Sequence, residues 1–442
     1  MIPALGSSRT TTGPTDRRFV LGALSVGHGI VHWLDQSFPV ILPSITASLG
    51  LTNIQVGSIA TVKNIGFGLV NLPGGLVIDL VRGQWGLILI GCLVSAALLY
   101  ALLGVSYSFI FMIVIVFLAS IPGAVWHLPA SAALSQRFPE RRGFAISIHG
   151  FGANIGNSVG PIVAGALILV IAWRGIFFIY AVPTLLVALV IWAYLRKIGQ
   201  DSTSQRNMSI RQQISESKLL IQNRLVLVLV TVATLRNMAL NSMAYWTPFY
   251  LTDELGMGSF WMGFHIALAT GTGIISTPIL GALSDRYNRK SVLVPGLALA
   301  TLFSALVLLA GDTIWLTVLM AGIGLFSYAL FQIIQAAVLD LAKEGTEATA
   351  TGFLFGIGSV VGAFSPMLAV VIINNYGLGN VFYYQAGLSA LALLILLPFK
   401  LPSPGINEKL GRREPVDPPV VSPPVVIGYP DDELEERTRS KP

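Results

Sequence analysis

The stretch "GALSDRYNRKS", Gly281 to Ser291, decides the reading of this chain. Asp285, Arg286, Arg289 and Lys290 crowd into six positions, yet only 11% of all residues are charged. Apolar runs flank the cluster on both sides, residues 260–283 before it and 292–310 after it. Each run is long enough to cross a ~30 Å hydrocarbon core as a helix. The stretch is therefore a tight polar loop between two membrane-spanning helices.

The rest of the chain repeats that alternation. It has 442 residues, of which 54% are hydrophobic, and a mean hydropathy of +0.75. Soluble domains carry about 25% charged residues, so soluble classes are excluded. The composition fits an all-α membrane protein with twelve transmembrane helices. The expected spans are 20–45, 54–78, 84–104, 109–134, 143–171, 175–195, 224–251, 260–283, 292–310, 313–341, 349–374 and 381–399. The first apolar run begins near Phe19 and passes Ile41, too long for the core of a cleaved signal. The polar segment 196–223 splits the spans six and six. The expected organisation is an N-terminal tail (1–18), a six-helix half (19–195), a central loop (196–223), a second six-helix half (224–400) and a tail (401–442). That last tail is Pro-rich and charged, a composition that favours disorder. The single cysteine, Cys92, allows no disulfide within the chain.

Charge placement sets the orientation. With both termini in the cytoplasm, 24 of the 27 Lys and Arg fall on the cytoplasmic side, and the outer loops hold only Arg174. Lys63 and Arg236 lie inside spans. This bias predicts a multi-pass protein of the cytoplasmic (inner) membrane with both termini inside. It also accounts for the net charge of +6 without nucleic acid as a partner. A shift of 206 residues places Gly75 and Asp79 on Gly281 and Asp285, and Gly150, Gly152 and Gly156 on Gly356, Gly358 and Gly362. Two parallel six-helix repeats can rock about a site at their interface.

The loop Gly281–Ser291 resembles the signature loop of the major facilitator superfamily, Gly-x-Leu-x-Asp-Arg-x-Gly-Arg-[Arg/Lys]. Gly281, Leu283, Asp285, Arg286, Arg289 and Lys290 match, and Asn288 replaces a glycine. Asn is tolerated where a turn needs positive φ. The first-half copy keeps Gly75 and Asp79 but has Leu80 where Arg is expected. The resemblance implies a major facilitator fold in which these residues act as cytoplasmic gates. "GANIGNSVGPIVAG", Gly152 to Gly165, resembles a segment associated with antiporters of the same superfamily. Gly152, Gly156 and Gly160 also form a small-residue face for close helix packing, and Pro161 permits a bend. "WHLPASAALSQRFPERRGFAISIHGFGANIGNSVGP", Trp126 to Pro161, is similar to the fosmidomycin-resistance-like branch, with Leu128 inserted between His127 and Pro129.

Few ionisable groups fall inside spans. At about 100° per residue, His28, His32 and Asp35 share one 60° face of the first span. Asp costs roughly 2.5–3.5 kcal/mol at a helix centre, so this face turns to a cavity or a partner helix. Lys63 lies at a depth similar to that of Asp35 on the next span, and the two can pair. Asp35 is then either a proton carrier or one side of a static bridge. His32 and His28 are either further proton sites or hydrogen-bonded packing residues. Arg236, inside the seventh span, suits an anionic substrate group or an internal bridge. His127 completes the candidate binding set. Tyr245, Trp246, Phe249 and Tyr250 either line a pocket or form the outer interfacial belt. His28, His32 and Asp35 could hold an ion, but no further carboxylate or Cys lies near in sequence, so no metal is assigned. No phosphate-binding loop and no nucleophile triad is recognisable, so neither a cofactor nor catalysis is expected. The expectation is a monomeric secondary transporter of a small organic molecule, working by proton antiport. Proton-linked uptake of an organic anion and a non-transporting membrane sensor are the alternatives.

Overall fold

A computed structural model describes residues 16–138, 141–199, 222–327, 329–342 and 347–401. It is all-helical, with no strand among the described residues. The first six helices are α1 (Arg17–Leu49), α2 (Asn53–Leu80), α3 (Trp85–Gly104), α4 (Phe109–Arg137), α5 (Arg142–Ile168) and α6 (Trp173–Leu195). The seventh, α7 (Arg224–Phe249), runs into a single π-helical turn, Tyr250–Glu254. Two of the remaining expected spans are each built from two helices, α8 (Ser259–Gly271) with α9 (Gly273–Tyr287) and α13 (Glu347–Gly362) with α14 (Ser365–Tyr376). Helices α11 (Ile314–Ser327) and α12 (Ala329–Leu339) flank residue 328, which is outside the described residues, and count as one membrane-crossing segment. Two single helices, α10 (Arg289–Ala310) and α15 (Val381–Leu396), complete the set.

Ten helical segments among the described residues are long and apolar enough to cross a membrane. The long helices α1 and α2 are outside that set. They carry His28, His32, Asp35 and Lys63, which dilute their hydropathy. The expected central loop lies mostly, and the C-terminal tail almost entirely, outside the described residues.

Lipid tails supply no hydrophobic drive between helices, so close packing and hydrogen bonds must hold them. The glycines of α5 show how. A methyl group on Gly152 would sit 2.2 Å from the Ser25 carbonyl oxygen, and one on Gly156 would sit 2.2 Å from that of Gly29. One on Gly160 would sit 2.9 Å from the Trp33 carbonyl oxygen. The backbones of α1 and α5 therefore touch along the whole stripe. Four residues beyond Pro161, Gly165 approaches the Ser259 carbonyl of α8 in the same way, and Gly263 approaches that of Pro161. Helix α5 is thus clamped between α1 and α8. Helix α2 packs on α13 and α14. The counterpart of the stripe recurs in the second half. Asn237 and Asn241 of α7 donate to the carbonyls of Gly358 and Gly362 on α13, at 3.1 and 3.2 Å.

Polar contacts sort the connections onto two ends of the bundle. At one end Arg174 donates to the Ser106 carbonyl at 3.0 Å and stacks on Trp173 and Tyr107. The charged loop of Gly281–Ser291 forms a separate brace. Arg289 is buried and reaches Asp285, Ser284 Oγ (2.8 Å) and Asp340 Oδ2 (2.9 Å). It ties α9, α10 and the end of α12 together. Lys290 donates to the Leu397 carbonyl beyond α15 at 2.5 Å. Asn288 explains its place in the motif. At φ 157° it joins α9 directly to α10, and its side chain accepts the Lys290 N–H at 2.8 Å. Arg286 stays exposed against Tyr287, and Gly281 has open space around its Cα. Gly75 and Asp79 lie on the last turns of α2, and the Asp79 side chain and the surroundings of Gly75 are outside what is described.

Hydrogen bonds from a buried cation to carboxylates contribute roughly 1.5–3 kcal/mol. Asp285 is largely exposed, which screens its share. Arg289→Ala is therefore expected to destabilise the protein by about 2 kcal/mol, read as a clear fall of the unfolding midpoint in detergent. Arg286→Ala is expected to leave that midpoint unchanged. Equal losses in the two variants would refute the brace.

Candidate functional site

The packing of α1 on α5 builds the site. With Gly152 and Gly156 against Ser25 and Gly29, the polar face of α1 is brought onto His149 and Asn157 of α5. His28 Nδ1 lies 2.9 Å from the carbonyl oxygen of His149. His32 Nδ1 lies 2.9 Å from Asn157 Oδ1. From the other side α4 contributes His127, whose Nδ1 is 3.1 Å from His28 Nε2. Gly27 permits this approach, since a methyl group there would strike the Trp126 ring. The result is a cluster of four imidazoles. The rings of His28 and His149 stack at 4.0 Å, and His28 meets His32 and His127 edge-on at 4.8 Å each.

One turn further along α1, Asp35 pairs with Lys63 of α2. Lys63 is buried beneath the Phe38 ring, whereas 43% of the Asp35 side chain remains accessible. That difference decides which partner a solute meets first. Asp35 opens onto a cavity of about 90 Å³, lined also by Val31, His32, Phe67, Tyr100, Ser120 and His127. The cavity thus joins the acid to two of the four histidines, and α1, α2, α3 and α4 all contribute to its wall.

Not every candidate residue gathers here. Arg236 is buried on α7, over the Phe331 ring at 5.5 Å, and does not line this cavity. The belt reading of the α7 aromatics does not hold. Tyr245, Trp246, Phe249 and Tyr250 are all at most 5% exposed, so they form core, not an interfacial belt, and none lines the cavity. Trp246 Nε1 donates to the Pro366 carbonyl of α14 at 3.0 Å. The fifth histidine, His265, is a satisfied packing residue. Its two nitrogens meet the Trp261 carbonyl (2.8 Å) and Thr317 Oγ1 (3.0 Å).

Sequence reasoning did not join His149 and Asn157 to the site. A signal was present. At about 100° per residue, His149 falls within the arc set by Gly152, Gly156 and Gly160, the face now seen against α1.

A helical bundle of this length, with paired charges on a cavity, matches a known family model. The Major Facilitator Superfamily model matches residues 24–313 and 272–430. The chain belongs to the major facilitator superfamily. Among curated relatives, the hexuronate transporter of Bacillus subtilis (strain 168) is 23% identical over 88% of this chain and 96% of the relative. The fosmidomycin resistance protein of Escherichia coli (strain K12) is 24% identical over 90% of this chain and 97% of its own. The fold is also that of solved transporters. A bacterial homologue of the human lysosomal transporter Spinster, in an inward-facing and unoccupied conformation, superimposes with a TM-score of 0.72 at 16% identity, covering 86% of this chain and 95% of the other. The nucleoside transporter NupG gives a TM-score of 0.73 at 14% identity, over 86% and 100%. The protein is a multi-pass membrane transporter of a small substrate.

Proposed function

We propose that this major facilitator exports a small organic molecule in exchange for protons, with Asp35 as the proton carrier. The observation that supports this most is the Asp35–Lys63 pair at the edge of the cavity. Asp35 is the only acid that the sequence places well inside an expected span, and its carboxylate is the accessible member of the pair. Two opposing effects act on such a group. Desolvation favours the neutral acid, and a neighbouring ammonium favours the anion. Both groups lie in the first half, so rocking of the two halves shifts the balance by opening and closing water access to the pair, which changes the desolvation of Asp35 while Lys63 stays beside it. A proton bound on one side of the membrane is then released on the other. His32 and His127 sit beside the acid, where they can accept or pass the proton. The charged loop serves as a brace during rocking, on the cytoplasmic side of the cell membrane with both termini inside. The working unit is a monomer.

A second reading, proton-linked uptake of an organic anion, draws on Lys63 and Arg236 and on the hexuronate transporter among the relatives. A ligand screen separates transport from a sensing role. A compound bound at 100 times its Kd stabilises the folded protein by about 2.7 kcal/mol, which a thermal-shift panel of organic anions and drug-like cations reads directly. Hits should drive exchange of labelled compound across liposomes carrying the purified protein. Stabilising ligands that are never exchanged would point to the sensor and contradict the proposal.

A further inference from the structure

We infer that His28, His32 and His127 form a binding site for a divalent transition-metal ion of the Zn²⁺ or Co²⁺ type. One ligand nitrogen from each lies within 4.8 Å of the others. His28 Nε2 and His127 Nδ1 are 3.1 Å apart, close to the ~3.3 Å between two ligands of a tetrahedral ion at ~2.0–2.1 Å.

The hydrogen bonds fix which nitrogens carry lone pairs. His28 Nδ1 faces a carbonyl oxygen, which has no proton to give, so Nδ1 carries the hydrogen and Nε2 the lone pair of the neutral ring. The hydrogen between His28 and His127 therefore belongs to His127 Nδ1. His32 Nδ1 donates to Asn157 Oδ1 and likewise leaves its Nε2 bare. Each of these donations orients the ring from behind, as partners of metal-bound histidines do. An ion entering between His28 and His127 takes the place of the His127 Nδ1 proton, which is taken up at Nε2 of the same ring. All three ligands remain neutral imidazoles, and the fourth position faces the cavity. Three nitrogen donors suit Zn²⁺, Co²⁺ or Ni²⁺ and not Mg²⁺ or Ca²⁺.

Plain packing does not account for the cluster. His265 shows what a packing histidine does here, with a partner on each nitrogen. His149 is 3% exposed and stacked on His28, yet neither of its nitrogens makes a hydrogen bond. The Leu24 carbonyl faces the ring without reaching hydrogen-bond geometry. A bound ion would replace the one hydrogen shared between His28 and His127 and would give His32 Nε2 a partner. Nearby charge does not oppose it, because Lys63 is already neutralised by Asp35.

The test is a Co²⁺ titration of the purified full chain, free of any affinity tag, followed by visible absorption. One Co²⁺ per chain with the intense bands of tetrahedral coordination, displaced by Zn²⁺, is the expected result. His28→Gln and His127→Gln each remove a direct ligand and should weaken binding by more than the ~10–100-fold that loss of an outer-shell partner costs, and His265→Gln should not change it. Absence of such bands in the unmodified protein would overturn the inference, whatever the variants do. So would bands that survive both substitutions. The readout is binding alone, so it stands apart from the transport proposal.

Discussion

Asp35→Asn is expected to abolish proton-driven transport while leaving downhill exchange of substrate intact. One charge moving down 100 mV releases about 2.3 kcal/mol, enough for a concentration ratio of about fifty at tenfold per ~1.4 kcal/mol. The Asn variant should bring that ratio to unity. The substitution has a second effect that must be kept apart from the first. It leaves Lys63, 7% exposed, without its carboxylate. Breaking a fully buried pair costs about 3–5 kcal/mol, and the partial exposure of Asp35 brings this to about 1–3 kcal/mol. The double variant Asp35→Asn/Lys63→Gln removes both charges. It should recover most of the stability and none of the coupling. Full coupling in the double variant would show that the pair is a static bridge. A double variant no more stable than the sum of the single losses would show that the pair contributes no interaction.

Gly156→Ala is expected to be among the most destabilising single changes in the chain. The added methyl would lie 2.2 Å from the Gly29 carbonyl oxygen and 2.9 Å from the Trp33 nitrogen. These are backbone atoms of α1, and no side-chain rotation relieves the clash. Overpacking a core costs typically 1–3 kcal/mol, occasionally more, and a backbone-to-backbone contact places this change at or above about 3 kcal/mol. Gly150→Ala is the control. Its methyl would meet nothing within 4 Å, and replacing a helical Gly by Ala gains about 0.5–1 kcal/mol. Comparing the two midpoints in detergent isolates the α1–α5 contact. Gly156→Ala should also shift His28 and His32 off His127 and Asn157, so Co²⁺ binding should fall with stability. If Gly156→Ala matches Gly150→Ala, the stripe does not seat α1.

Much of this was legible in the sequence because it depends on one helix at a time. Hydropathy marks where a chain can cross a membrane, and Lys and Arg mark where it cannot. The pairing of Asp35 with Lys63 was accessible too, since consecutive spans fix relative depth. What stayed hidden depends on which non-consecutive helices touch. His149 and Asn157 meet α1 across more than a hundred residues, and Asp340 meets Arg289 across 51. Spacing within one helix says which residues share a face, not which helix that face meets. The aromatic residues after Ala244 show the same limit in reverse. Their composition suits an interface with lipid headgroups, and only the packing of α7 against α14 and α15 makes them core.

The most direct test of the central claim is the pH inside substrate-loaded liposomes. Purified protein is reconstituted with a trapped pH-sensitive dye, the lumen is filled with a ligand identified by thermal shift, and the vesicles are diluted into ligand-free buffer of the same pH. Proton antiport predicts that the lumen acidifies as substrate leaves, and that Asp35→Asn abolishes the change. A lumen that becomes alkaline would mean that proton and substrate leave together. A lumen of constant pH during substrate loss would mean that protons take no part. Either result contradicts the account.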